Sequence, residues 1–476
     1  MRRGYMTVYL ALTLAVLVSF ILALVEGARI SATRMKALCA ADVGISSTLS
    51  EYNKDLFEQY DLLMTDMTYA GGGSGTPEAV RHRLKLYLTM NLDESTPDLS
   101  RDLLGMRLDD ALILEYALAT DDFAEPVRNQ VSDYMKTTLK GQFTGLFDDL
   151  GGDLSGAGFD YDTAGRRGEV YDEIDRIEVP PQENEEGELV EVPKVNPGNS
   201  VDAIRSAGII GLCLNDTSGI STKTVDLSDV LTNRTLAVGN GISDEERSLS
   251  NAAGKITYCE YLFDKCGYYD NEKDGSVFDY EIEYIIKGHE NDWDNLEAVC
   301  RTLTLWREAI NFTYLCTDET KKGEARAFAE ALACVIVCPE LAEPIMWSIL
   351  LAWAYVESLQ DVKILLEGDG VPVAKTSETW HTGMLSIFHP RSALKSYPGQ
   401  EGAHYGDYLN TMLLMGSYDK LLPRSLDIME LDVRESSGNG AFRMDACMQS
   451  FLVDITTRST HGHNTHIVRR SGYYYP

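Results

Sequence analysis

The chain has 476 residues, 44% of them hydrophobic, with 42 Lys and Arg against 74 Asp and Glu and a net charge of −32. That length and apolar content suffice for a sizeable core in one or two domains. The acidic balance excludes nucleic acid as a partner and argues against docking on an anionic membrane surface.

The first element is an apolar run. Thr7 to Val25 is free of formal charge for 19 residues, nearly enough to span a hydrocarbon core of ~30 Å at ~1.5 Å per residue. A cleavable signal has a shorter apolar stretch of ~7–15 residues before a small-x-small site. Here the run passes into Val25-Glu26-Gly27-Ala28-Arg29, and the expectation is an uncleaved anchor with Thr7, Leu10, Leu14, Leu17, Ile21 and Val25 in lipid. The flanking charges are nearly balanced by the positive-inside rule. Residues 1–36 carry +4 and the remainder −36 of the total. The expected topology is single-pass, with the N-terminus cytoplasmic and the acidic bulk extracytoplasmic.

The helical pattern continues beyond the anchor. Leu38, Ala41, Ile45, Leu49, Tyr52, Leu56, Tyr60 and Leu63 fall on one face at spacings of three and four, and no proline interrupts residues 5–70. One helix of roughly 55–60 residues is expected, ~80–90 Å long, ending before Gly71-Gly72-Gly73. Ile45, Leu49, Tyr52, Leu56, Tyr60 and Leu63 form its stalk interface, against the soluble domain or against neighbouring stems.

The start Arg3-Gly4-Tyr5-Met6-Thr7-Val8 before an apolar helix resembles the pseudopilin-like proteins of tight-adherence (Tad) pilus systems. That resemblance implies prepilin-type processing between Gly4 and Tyr5. Its usual glutamate five residues on is Tyr9 here. The remainder resembles an uncharacterised bacterial family of Tad-type pilus loci, through Glu26-Gly27-Ala28-Arg29, Glu51-Tyr52, Gln59-Tyr60-Asp61-Leu62, Tyr280 to Gly288, Trp353-Ala354-Tyr355-Val356-Glu357-Ser358 and Tyr408-Leu409. It implies a place among surface-appendage proteins and carries no activity or catalytic residue.

Further along, Thr76 caps and Pro77 opens a helix over residues 76–92. Residues 103–119 suit either a strand or a helix, and Asp121-Asp122 lead into a helix through about Lys140. Residues 150–200, with LGGDLSGAG and an acidic Pro-rich run, read as a linker or long exposed loop. Phe278 to Lys287 alternates as a half-buried strand. Asp294 and Glu297 make a capping box for a helix with Leu296, Val299, Leu303, Trp306 and Ile310 on its apolar face. Helices follow over 324–337, 344–366, 405–415 and 424–434, and a strand over 441–456. The 345–356 stretch is apolar all round but only twelve residues long, so it reads as a core helix rather than a second span. The expected fold is α+β: a transmembrane helix and helical stalk over 1–70, then a helix-rich mixed domain built from 71–149 and 201–476 around the linker.

Asp270 to Glu281 matches a twelve-residue calcium loop at positions 1, 5, 6, 8 and 12, with Asp270, Glu272, Asp274 and Glu281 as oxygen ligands. Glu at position 3 and the strand-like continuation fit an acidic loop instead. His461, His463 and His466 near a Tyr-rich C-terminus read as a solvated tail. The nine cysteines include no zinc CxxC pair, and Cys334 and Cys338, a turn apart, suit shared burial. No GxSxG, Walker loop, HExxH or GxGxxG occurs.

The expectation is a non-enzymatic, membrane-anchored extracytoplasmic component of a Tad-like pilus or secretion apparatus, without a cofactor unless the 270–281 loop holds calcium. Its partners are the lipid bilayer and pseudopilins or assembly-platform proteins, and the N-terminal helix can form homo-oligomers. The alternative is a stand-alone envelope binding or sensor protein.

Overall fold

The computed structural model describes residues 4–69, 75–92, 104–138, 161–183, 188–241, 252–397 and 400–473. The fold is α+β and helix-rich, with one long apolar helix at its N-terminus. The chain divides into two compact units, interleaved in sequence. One comprises Met1–Thr138, Ser228–Tyr258 and Met429–Pro476; the other comprises Leu139–Leu227 and Cys259–Ile428. The serial order of stalk, first part, linker and main domain expected from composition is therefore not the order of compact units.

The first unit is built on the long helix Gly4–Leu49, 46 residues without a proline. Burial along it is one-sided and begins late. Thr33, Ala37, Ala40, Ala41, Gly44, Ile45 and Thr48 are buried, a face repeating at three and four residues. These small side chains let the helix Pro77–Leu92 approach closely. A Cβ on Gly44 would stand 2.7 Å from Cδ2 of the fully buried Leu88. Val80, Leu84, Leu88 and Leu92, one turn apart, form the facing ridge.

Both helices pack on an antiparallel sheet whose central strand is Cys447–Ser459. Met106–Leu118 pairs with one side of it; Thr65–Asp66 and Asn464–Gly472 pair in tandem along the other. Phe451, Val453 and Ile455 from the centre and Ala111 and Leu118 from the edge join Ala41, Ile45, Leu84 and Leu88 in one core. The ambiguous 103–119 segment is thus a strand within its described part, and the strand expected over 441–456 begins six residues later, after a 3-10 turn at Met444–Ala446.

The single 55–60-residue helix is not formed. It stops at Leu49, and a separate helix, Lys54–Tyr60, starts at Asn53, whose side chain accepts the Leu56 N–H. Asn53 also donates to Asn439 and its N–H binds the Met64 carbonyl, so tertiary bonds fix the break. The second helix ends at Asp61 in left-handed conformation (φ 52°). The Gly71–Gly73 cluster, the LGGDLSGAG stretch and Lys140 lie outside the described residues.

The second unit surrounds the helix Ala342–Leu366. Its 345–356 stretch is buried on every side except at the half-buried Trp347; the helices Asp292–Thr317, Glu319–Ile336 and Thr163–Arg176 pack against it. The core-helix reading holds. Within the expected linker, Thr163–Arg176 is a helix with Val170 and Ile174 fully in the core, so this part is structure, not spacer. The expected strand at 278–287 is also corrected. Glu281–Lys287 is a short helix closed by Gly288 at φ 79°, with Glu281 and Glu283 both buried. Alternating charge there reflects buried, hydrogen-bonded carboxylates rather than a wet face. The capping box at Asp294 and Glu297 is replaced by Asn291, whose side chain accepts the Asp294 N–H.

Candidate functional site

Three places gather the residues that sequence reasoning singles out, or should have. The first is the stem. Tyr5 to Ala32 is exposed almost throughout, Leu10, Leu14, Leu17 and Ile21 each by more than half. Among the described residues this is the one helix long and apolar enough to cross a membrane, a geometry compatible with a single-pass anchor. About 28 residues at ~1.5 Å each amount to about 42 Å, longer than a ~30 Å hydrocarbon core. Gly4 and Tyr5 stand at its start. The stalk interface is spent inside the chain. Ile45 lies in the sheet core; Leu56 and Tyr60 are buried, and the Tyr60 hydroxyl donates to Asp432 at 2.5 Å. Leu49, Tyr52 and Leu63 are half-buried, and Leu38 faces outward. The exposed part of the stem is therefore residues 5–32, and the stripe beyond it packs on the soluble part of the same chain.

The second place is the acidic loop. Asp270, in left-handed conformation (φ 78°), Glu272 and Asp274 are exposed. Glu281 is fully buried, and its Oε2 takes the Gly267 N–H. The four proposed calcium ligands are not brought together, because the twelfth position turns inward at the start of a helix. Asp279, inside the same loop, is paired with Lys223 at 2.6 Å. The histidines are likewise not a floating tail. His466 lies on the strand Asn464–Gly472 with Nε2 2.7 Å from Asp454, and His463 Nε2 is 2.5 Å from Glu26. The cysteines are free thiols. Cys334 is exposed while Cys338 is buried past the helix end, so shared burial does not hold.

The third place was missed in the sequence. Glu357 and Asp361, one turn apart on the fully enclosed helix, lie with His381 so that one ligand atom from each falls within 4.8 Å. The donors here are already neutralised. Lys375 Nζ sits 2.8 Å from Glu357 Oε1 and 2.6 Å from Asp361 Oδ1. Arg307 Nε donates to Asp361 Oδ2 at 2.9 Å, and its Nη1 reaches the Pro372 and Val373 carbonyls and the Tyr408 hydroxyl. Asn311 adds a bond to Asp361 at 3.0 Å. The second oxygen of Glu357 accepts from the Thr382 N–H and hydroxyl at 2.9 and 2.8 Å. His381 Nδ1 lies 3.2 Å from Glu357 Oε1, its ring packed on Tyr397.

Two cations face two carboxylates, so no surplus negative charge remains to draw a divalent ion, and the ammonium already fills the gap between the acids. Burial by itself would push the Glu357 carboxyl up. The Lys375 charge and the His381 bonds overcome that and hold it down at about 2. His381 is 7% exposed, too enclosed to meet a substrate as a general base. The arrangement is a clamp. It ties the segment 371–382 onto the central helix, with Trp353 and Trp380 both donating to the Thr382 carbonyl.

The signal for it was present: two acids at i and i+4 in a helix otherwise apolar all round require buried partners. Their partners, Arg307, Lys375 and His381, are too distant in sequence to assign.

A family model described as a family of unknown function (DUF5702) matches residues 187–459. That span includes the clamp and the acidic loop and excludes the stem. No curated protein and no solved structure matches the chain. Since the match covers more than half of the 476 residues, the chain belongs to the DUF5702 family.

Proposed function

We propose that the protein is a non-enzymatic, single-pass membrane component of a Tad-like pilus or secretion apparatus, N-terminus cytoplasmic and both compact units outside. The observation that carries the reading is the division of the long helix. Residues 5–25 are bare and apolar, while the face from Thr33 to Thr48 is locked into a sheet core. A helix built this way transmits its position in the membrane rigidly to the sheet it carries, as an assembling stem must. Its bare part is the surface left for pseudopilins, platform proteins or a second copy. The pseudopilin-like start at Gly4-Tyr5 supports the same reading.

The test is the mature N-terminus of protein isolated from its native membrane. A chain starting at Tyr5 has been cut by a prepilin peptidase, as the proposal expects. A chain retaining Arg2 and Arg3 is a plain signal anchor, and incorporation into a pilus then loses its mechanism.

A further inference from the structure

In a chain of net charge −32, three arginines converge on one small pocket of the second unit. Arg167, Arg205 and Arg301 line a cavity of about 240 Å³, and the rest of its wall is largely apolar, chiefly Ile209, Leu305 and Tyr355. The arginines are not equivalent. Arg205 is the floor. Both its terminal nitrogens are held by Glu308, at 2.8 and 2.5 Å, and its guanidinium lies 3.9 Å from the centre of the Tyr355 ring. That geometry fixes a positive plane in place and leaves Arg205 little capacity for another partner.

The other two stand at the mouth with capacity to spare. Arg167 comes only to within 4.0 Å of Asp202 and makes no hydrogen bond among the described residues. Arg301 gives one nitrogen to Glu297 at 3.0 Å and, more loosely, to the Ala207 carbonyl, which leaves most of its five donors unused. Glu297 is itself engaged by the Ile209 and Ile210 N–H groups, so it is a fixed neighbour rather than a competing ligand.

Size and charge narrow the occupant. The cavity is below the ~300–1,000 Å³ of sites for drug-sized ligands, which limits it to a small molecule. The lining carries three positive charges against Glu308, but Asp202 and Glu297 stand directly behind the arginines. Those three carboxylates offset the three arginines, so what the pocket offers an anion is unused guanidinium N–H donors rather than surplus charge, and a monoanion meets less repulsion there than a phosphate dianion. We propose that this pocket binds a small organic monocarboxylate, its acyl or aryl body against Ile209, Leu305 and Tyr355 and its carboxylate on Arg167 and Arg301. Planar guanidinium groups match a carboxylate edge-on.

The experiment uses the full chain in nanodiscs and ligand-observed saturation-transfer NMR with four probes: hexanoate, benzoate, hexan-1-ol and inorganic phosphate. The expected result is saturable binding of at least one carboxylate. Hexan-1-ol should bind at least tenfold more weakly, and inorganic phosphate should not compete. Arg167→Ala combined with Arg301→Ala should weaken carboxylate binding at least tenfold. Both side chains are partly exposed, so the variant keeps its core, and unchanged tryptophan fluorescence checks this. Leu305→Glu, at a side chain 51% exposed, should put a repelling carboxylate at the mouth and abolish binding independently. No saturable binding of either carboxylate overturns the proposal. So does equal binding of the alcohol, full competition by phosphate, or an undiminished affinity in the double variant.

Discussion

Replacing Lys375 with Met tests whether the clamp is held by charge rather than by shape. Met keeps most of the aliphatic volume and removes the ammonium from between Glu357 Oε1 and Asp361 Oδ1. Asp361 retains Arg307 and Asn311; Glu357 keeps only neutral donors and His381. Removing one partner of a buried pair costs about 3–5 kcal/mol, because the remaining charge stays desolvated. The Glu357 carboxyl, held at about 2 against an ordinary 4.5, gives the same direction: burial raises it, and the Lys375 charge with the His381 bonds outweighs that. A depressed pKa stabilises above 4.5 and loses that stabilisation as pH falls toward 2. In the variant the sign reverses, since burial alone raises the carboxyl. The deficit should therefore be large at pH 7 and shrink steadily as pH falls toward 4, as Glu357 takes up its proton. Urea unfolding followed by tryptophan fluorescence is the assay. All five tryptophans (Trp293, Trp306, Trp347, Trp353 and Trp380) lie in the second unit, so the signal reports that unit alone. A loss below about 1 kcal/mol at pH 7, or one that does not change between pH 7 and 4, would refute the reasoning.

Gly44→Leu places a branched side chain where even a Cβ stands 2.7 Å from Leu88; the first unit should lose about 1–3 kcal/mol by overpacking, read from amide hydrogen exchange in the strand Cys447–Ser459. Leu14→Lys puts a charge mid-span at about 2.5–3.5 kcal/mol, and the carbonate-resistant membrane fraction should fall, whereas Leu38→Lys, on an exposed site past the bare stretch, should leave it unchanged. Glu283→Gln should flatten the pH dependence of the second unit between pH 4.5 and 7, measured by the same fluorescence assay. Burial pushes that carboxyl up to about 7 despite bonds from the Tyr269 N–H and the Tyr405 hydroxyl. A raised pKa stabilises below 4.5 and is lost as pH rises through 7.

How much of this was readable follows from the range of the interactions. The apolar run, the core helix at 342–366 and the helix at 405–415 are set by neighbours within a few turns, and the sequence pattern locates them. The break at Leu49 depends on Asn53 meeting Asn439, almost four hundred residues away, and no local pattern carries that. The 278–287 error has a different origin. Period-2 alternation predicts one wet and one dry face, but Glu281 and Glu283 are buried beside Tyr280, Ile282 and Tyr284. Their carboxylates bind the Gly267 and Tyr269 N–H groups, so polarity there signals hydrogen bonding inside the fold. The same substitution of meaning hid the clamp, whose acids looked interchangeable with those of an acidic surface.

Two of the buried acids of the second unit, Glu283 and Glu357, show opposite ways of accommodating a carboxyl. Glu283 is paired with no cation among the described residues and is accommodated by neutral donors, so its proton becomes part of the structure as pH falls. Glu357 has Lys375 and is accommodated as an anion, so its proton is an intruder. Stability from the first declines on the alkaline side of about 4.5, and from the second on the acid side. The windows adjoin without overlapping, and the double variant Glu283→Gln, Lys375→Met separates them. Relative to Glu283→Gln alone, its stability should rise as pH drops from 6 to 4, because Glu357 without the ammonium titrates with burial opposed only by the His381 and Thr382 bonds. Glu283 contributes to the wild-type slope over the same range together with Glu260, Glu272 and Asp292, whose carboxyls burial also raises. If the double variant instead tracks Glu283→Gln alone over that range, Glu357 does not titrate as its surroundings require, and the clamp is held by packing rather than by charge.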